Sequence, residues 1–226
     1  MCAGSNPAEG ATSTSIHEQS TNVSSEHFPS GFFGRSDEID DTVFYEPVRL
    51  VQHIDDAAIA AVGALYDELS ISGHILDLMG SWISHLTTPP AGLVVLGMNP
   101  TELRANPMAT SVLVHDLNTT PTLPFVDTHF DDVVCAVSVD YLTRPLEVFA
   151  EVGRVLKPGG RFVCTFSNRC FPTKAIRGWL LATESQRCEI VARYFELTPG
   201  FSPAKIENRT GDAPGDPLYA VWATKS

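Results

Sequence analysis

The chain has 226 residues, with 27 acidic against 15 basic side chains and a formal charge of −12, which fits one domain large enough to bury a core without disulfide or metal staples. A strongly acidic chain without a Lys or Arg run gains nothing from counterion release at phosphates, and no stretch nears the roughly 18 apolar residues of a membrane span, so neither nucleic acid nor membrane is an expected partner. The charge is unevenly held: residues 1–113 carry 14 acids against only Arg35, Arg49 and Arg104, whereas residues 114–226 are close to balance.

Residues 1–30 are rich in Ser, Thr, Asn and Glu and hold no Lys or Arg. They read as a disordered tail, since they offer too little apolar surface to offset chain entropy. They lack the basic start and apolar centre of a secretory signal and the arginines of a transit peptide. The five cysteines (Cys2, Cys135, Cys164, Cys170, Cys188) are odd in number with no C-x-x-C pair, which points to a reducing, cytoplasmic setting. The seven histidines show no ligand spacing, so no metal is expected. Residues 31–54 form an arm that mixes aromatics (Phe32, Phe33, Phe44, Tyr45) with acids (Asp37, Glu38, Asp40, Asp41, Glu46). It reads as an irregular segment packing its rings on the domain, or as a lid with an apolar underside.

The domain proper spans residues 55–226. Asp55 opens a helix to about Leu69, with Ile59, Val62, Tyr66 and Leu69 on one face. Continuous apolar runs at His74–Met79 and Leu93–Met98 read as strands of a parallel sheet covered on both faces. Ser111–His115 is a weaker third strand and Val133–Val139 a strong fourth. Pro145–Leu156 reads as a helix, with Pro145 in its first turn and Lys157-Pro158-Gly159-Gly160 as its stop. Arg161–Ser167 is a fifth strand. Pro172-Thr173 opens a helix through Leu181, and Thr183-x-x-Gln186 is a capping box for another to about Phe195. Phe201–Asn208 and Leu218–Thr224 read as an antiparallel hairpin. The pattern predicts an α/β fold: a doubly wound, Rossmann-like, mostly parallel sheet with helices on both faces and a C-terminal antiparallel hairpin. In such a sheet the ligand lies beyond the carboxyl ends of the strands, where the strand order reverses.

Leu123-Pro-Phe125, Phe130-Asp-Asp-Val-Val134 and Arg154-Val-Leu-Lys-Pro-Gly-Gly160-Arg-Phe162 resemble the L-P-F, F-D-x-V, R-x-L-x-P-G-G block of the class I S-adenosylmethionine-dependent methyltransferases of the type 11 kind. The resemblance covers about residues 55–225 and is strong in its second half. It implies S-adenosyl-L-methionine as cofactor, a transferase activity and a small-molecule acceptor. The implied cofactor residues are Asp77, Met79, Gly80 and Ser81 after the first strand, Asn99 after the second, Asp116 and Leu117 after the third, and Ser138 after the fourth. The family's strand-one loop reads D-x-G-x-G-x-G; here Met79, Ser81 and Ile83 stand at the glycine positions, with Gly80 one place out of phase, and Asn99 replaces the acid that reads the ribose. Asp116 and Leu117 match the adenine-reading acid and its apolar neighbour.

Ser81 also reads as a cap for a following helix, and Trp82 as packing. On the acceptor side Tyr141 faces the implied site. Asn168 leaves the fifth strand, and Arg169, Lys174 and Arg177 make the clearest local basic group, suited to a carboxylate or phosphate. Methyl transfer disperses charge and needs no obligatory acid or base. Should a hydroxyl or amine lose a proton, Tyr141, Asp140 and His129 are the candidates. Cys170, without a His partner, is weak evidence for a nucleophile. The altered glycine loop and Asn99 keep a second reading open, a catalytically inactive methyltransferase-like binding or regulatory protein. A nicotinamide oxidoreductase lacks its G-x-G-x-x-G, and a lipase-like hydrolase its G-x-S-x-G.

Overall fold

The computed structural model describes Met1, residues 27–212 and residues 214–226; most of the expected tail lies outside the described residues. Seven strands, β1 (His74–Leu78), β2 (Gly92–Gly97), β3 (Ser111–Val114), β4 (Phe130–Ala136), β5 (Leu156–Phe166), β6 (Lys205–Asn208) and β7 (Tyr219–Thr224), form one sheet in the order β3-β2-β1-β4-β5-β7-β6. The first five pair in parallel, and β7 runs antiparallel to both β5 and β6. The chain winds outward from β1 to β3 and returns to β4. The order therefore reverses between β1 and β4, and a ligand crevice belongs at their carboxyl ends.

Side-chain alternation divides the core into two layers. Ile75, Val95, Val134 and Val163 face α2 (Asp56–Glu68) and Leu103 of α3 (Pro100–Ala105). Leu76, Leu96, Cys135 and Cys164 face α4 (Pro145–Val155), Trp179 of α5 (Arg177–Leu181) and Tyr194 and Phe195 of α6 (Glu184–Leu197). Asp55 caps α2 by accepting from the Ala58 amide, and the Thr183–Gln186 capping box forms at α6 as the spacing predicts.

The L-P-F and P-G-G block serves the fold at the amino-terminal edge of the sheet. Arg154 donates to the carbonyls of Leu123 and Phe125, each at 2.8 Å, and pairs with Glu151 and Asp127. Gly159 takes φ +82°, and a Cβ on Gly160 would stand 2.4 Å from the Asp131 carbonyl oxygen, so the irregular stretch within β5, where its register against β4 shifts, needs both glycines.

Four expectations are corrected. The fifth strand runs Leu156–Phe166 rather than Arg161–Ser167, taking in the Lys157–Gly160 stretch expected to lie between helix and strand. No helix follows β1: residues 79–91 are irregular, so Ser81 caps nothing and its hydroxyl donates instead to Glu102 Oε2 at 2.6 Å. The helix expected from Pro172 begins only at Arg177. The amides that would propagate it are taken by tertiary partners: Ile176 N–H by the Asp140 carbonyl, Arg177 N–H by Gly34 and Gly178 N–H by Phe32. The fourth strand runs Phe130–Ala136 rather than to Val139, which falls in a 3-10 turn, Val139–Tyr141. Two short elements were missed by the sequence reading. In α3 the sequence Asn99-Pro-Thr-Glu102 is a cap signature, with Asn99 accepting from the amides of Thr101 and Glu102. In the arm, α1 (Asp41–Phe44) is capped by Asp40.

Candidate active site

A cavity of about 250 Å³ lies at the carboxyl ends of β1 to β5. Its floor is the loop after β1. Met79 holds φ +58°, the left-handed region that favours glycine, so the backbone keeps a glycine-like path with a side chain on it. Gly80 cannot carry one: a Cβ there would lie 2.6 Å from the Asp77 carboxylate, and one on Gly97 would lie 2.2 Å from the Gly80 carbonyl oxygen. Gly80 N–H donates to the Leu96 carbonyl at 2.8 Å, which presses the loop against the end of β2. Across the switch point Ser138 Oγ donates to the Met79 carbonyl at 3.3 Å.

Asp77 does not reach the cavity. It is buried behind Gly80, where Ser84 Oγ donates to it at 2.5 Å and itself accepts from Asn106 Nδ2 at 2.7 Å. With no helix after β1, this chain of bonds fixes the loop. Burial pushes the Asp77 carboxyl up to about 7, only partly offset by Ser84. Burial likewise pushes Asp140, whose Oδ2 has no partner, up to about 8. Both folded-state values exceed that of the unfolded chain, so the folded state retains protons the unfolded state has lost. Stability is therefore expected to fall as pH rises from about 4 to 8. Urea unfolding at pH 5.5 and pH 8 tests this. Asp140→Asn should be more stable than the native chain at pH 8, on the order of a few kcal/mol, and should flatten the dependence; an unchanged slope would refute the assignment.

The arm crosses the cavity as a strap. Asn99, at the end of β2, donates from Nδ2 to the carbonyls of Tyr45 at 2.9 Å and Glu46 at 3.0 Å. Glu102 accepts the Arg49 amide at 2.6 Å while holding Ser81, and Trp82 Nε1 donates to the Val51 carbonyl at 3.2 Å. Asn118 donates to Asp41 Oδ2 at 2.9 Å and accepts from Thr143 N–H at 2.8 Å. Lys174, with no exposed surface, points inward to the Ile39 carbonyl and to Asp37 and Asp41. Arg35 completes a buried cluster with Asp41 at 2.8 Å. Burial opposes ionisation of Asp41, but bonds from Asn118, Arg35 and Lys174 outweigh it and hold the carboxyl below its usual value.

The other sequence candidates fall as follows. Asp116 and Leu117 line the cavity; the Asp116 carboxylate also holds its own turn, accepting from the amide of Asn118 and the hydroxyl of Thr119. Tyr141 lines it too, its hydroxyl accepting from Phe171 N–H at 2.8 Å. Asn168 is exposed and lies off the cavity wall. The basic group does not assemble. Only Arg169 reaches the cavity, Lys174 is spent on the strap, and Arg177 opens onto a separate groove of about 1260 Å³ beside α5 and α6, away from the strand ends. As proton acceptors, Asp140 lies outside the cavity wall, and His129 sits exposed at the start of β4, at the opposite edge of the sheet. Arg49, His53, Glu102 and Phe171 line the cavity and were missed by the sequence reading. The Asn99-x-x-Glu102 cap signature was the one signal for any of them.

Comparison with known proteins agrees with this architecture. A family model described as a methyltransferase domain matches residues 91–164, from the edge of β2 into β5. A curated relative, the biotin biosynthesis bifunctional protein BioHC of Teredinibacter turnerae, is 46% identical over 41 residues; the match takes in 18% of this chain and 7% of that protein's length. Among solved structures, an S-adenosylmethionine-dependent methyltransferase from Aquifex aeolicus superposes with a TM-score of 0.53 at 14% identity, covering 75% of this chain and 92% of the other. The [4+2]-cyclase SpnF superposes with the same TM-score at 14% identity, covering 82% and 90%. The fold is that of the class I methyltransferases. Among the described residues no helix is long and apolar enough to cross a membrane.

Proposed function

We propose, from the match of residues 91–164 to a methyltransferase-domain model and from the class I methyltransferase fold, that the chain binds S-adenosylmethionine in the cavity at the strand ends and methylates a small molecule. The observation that carries this is the loop after β1. Although Met79 and Ser81 stand where glycines are expected, Met79 keeps the left-handed backbone, and Gly80 and Gly97 keep the close contact between loop and β2. The residues present therefore fit the cofactor. Met79 to Ser81 would hold its amino-acid end, Asp116 and Leu117 its base, and Ser138 the crossing between them. When bound, the cofactor supplies a methyl group on a sulfonium, open to in-line displacement.

The chain's own part is positioning and exclusion of water. Tyr45, Tyr141 and Phe171 wall the cavity, and the strap roofs it. The cavity of about 250 Å³ is smaller than the roughly 300–1,000 Å³ of ordinary small-molecule sites, so the strap must yield to admit a nucleoside-sized ligand. The acidic surface argues against a nucleic-acid acceptor, and the free thiols of Cys135, Cys164, Cys170 and Cys188 suit the cytoplasm.

Calorimetric titration with S-adenosylhomocysteine tests the reading. Binding is expected for the native chain, with at least tenfold weakening in Gly80→Ala, whose new methyl would drive the loop off Asp77. No heat and no thermal shift with either S-adenosylmethionine or its product would remove the proposal.

A further inference from the structure

Arg49 and Arg169 are the two arginines on the cavity wall, and among the described residues each has N–H donors beyond those its protein partners accept. Arg49 rides on the strap with its guanidinium 4.8 Å from the Phe44 ring centre and 5.6 Å from that of Phe171. Its Nη2 donates to the Phe44 carbonyl at 2.9 Å and its Nη1 to the Pro47 carbonyl at 3.1 Å. Those contacts use two of five N–H donors and fix the plane of the group. Arg169 stands at the rim, its side chain 63% exposed, with Nε donating to Asp216 Oδ1 at 2.7 Å. Asp216 is itself locked to Asp55 by reciprocal amide-to-carboxylate bonds of 2.7 and 3.1 Å.

The carboxylates on the same wall are already committed. Asp41 is held by Arg35, Lys174 and Asn118, Glu102 by Ser81 and the Arg49 amide, and Asp116 by its own turn. Phe171 stands on the same wall, its ring centre 5.6 Å from the Arg49 guanidinium, with the Phe44 and His53 rings edge-on at 5.4 and 5.2 Å and the Tyr141 ring tilted at 6.0 Å. Guanidinium donors beside an aromatic surface, in a chain that is otherwise strongly anionic, select a ligand that is planar and negatively charged.

We propose that the acceptor is a small planar carboxylate, seated on Arg49 and Arg169 against Phe171. This rests on the methyltransferase reading for its chemistry but is tested apart from it. The probes are 4-hydroxybenzoate and its neutral isostere 4-hydroxybenzamide, titrated with and without saturating S-adenosylhomocysteine and followed by ligand-observed NMR. The native chain is expected to bind the acid at least about tenfold more tightly than the amide, a difference of ~1.4 kcal/mol. Arg49→Met should bring the two within about twofold, while Arg49→Lys, which keeps the charge, should retain part of the preference. Arg169→Met should weaken the acid and leave the amide unchanged. Equal binding of both probes, binding of neither, or a preference that survives Arg49→Met would each overturn the proposal. Separate heat from S-adenosylhomocysteine would show that the cofactor reading stands even where this one fails.

Discussion

Asn99→Asp is expected to release the strap and to tighten S-adenosylhomocysteine binding by about tenfold or more. Asn99 Nδ2 is the donor that ties the Tyr45 and Glu46 carbonyls to the end of β2. A carboxylate there donates nothing and faces two carbonyl oxygens, so the two bonds become repulsion, costing about 1–3 kcal/mol of strap docking. The helix cap survives, because an aspartate accepts from the amides of Thr101 and Glu102 as well as asparagine does. The same carboxylate would be free to accept hydroxyl protons from a sugar in a charge-assisted pair. Amide exchange over residues 37–50 should speed up in the variant, and calorimetry should report the gain. Unchanged exchange, or faster exchange with weaker binding, would show that Asn99 does not set strap against ligand.

Asp41→Ala should cost about 3–5 kcal/mol of strap stability, the range for removing one partner of a buried charge cluster. The side chains of Arg35, 7% exposed, and Lys174, fully buried, both pair with Asp41, and its loss leaves two cations crowded under α1. The damage should be local first, because the sheet core is built without the arm's charges. A urea transition monitored at the strap should separate from that of the sheet and come earlier. Lys174→Met should cost less, since Asp41 keeps Arg35 and Asn118. The folded-state value of Asp41 lies below its ordinary one, so the docking it supports is fully present at neutral pH and lost only as pH falls through that lowered value. A single coincident transition in Asp41→Ala, with no loss of stability, would contradict this.

The strands were legible because their signals are local. Runs such as Leu93–Leu96 can only be buried on both faces, and Pro145 and the Thr183–Gln186 box mark helix starts whatever surrounds them. The L-P-F to P-G-G block was equally clear, and the reason is structural: it joins β4 to β5 at the edge away from the cavity. The candidate site was legible only in part. Asp116, Leu117, Ser138, Tyr141 and Arg169 follow strand ends and line the cavity. Asp77 follows the same rule, yet Gly80 shields it.

The sequence by itself determined the alternation of strands and helices, hence the sheet, the switch point and the edge where a ligand belongs, because hydrophobic period and capping chemistry act over a few residues. Only the tertiary structure decided what occupies that edge. The arm's carbonyls reach Asn99 across more than fifty residues, and Lys174, read from the sequence as part of a basic group for a ligand, turns inward to pair with Asp37 and Asp41 some 130 residues earlier. No local pattern encodes a bond between a side chain and a distant backbone carbonyl. The uneven charge of the chain finds its meaning there: the acidic arm is held to the strand ends by Arg35 and Lys174, and the arginines left on the cavity wall are Arg49 and Arg169.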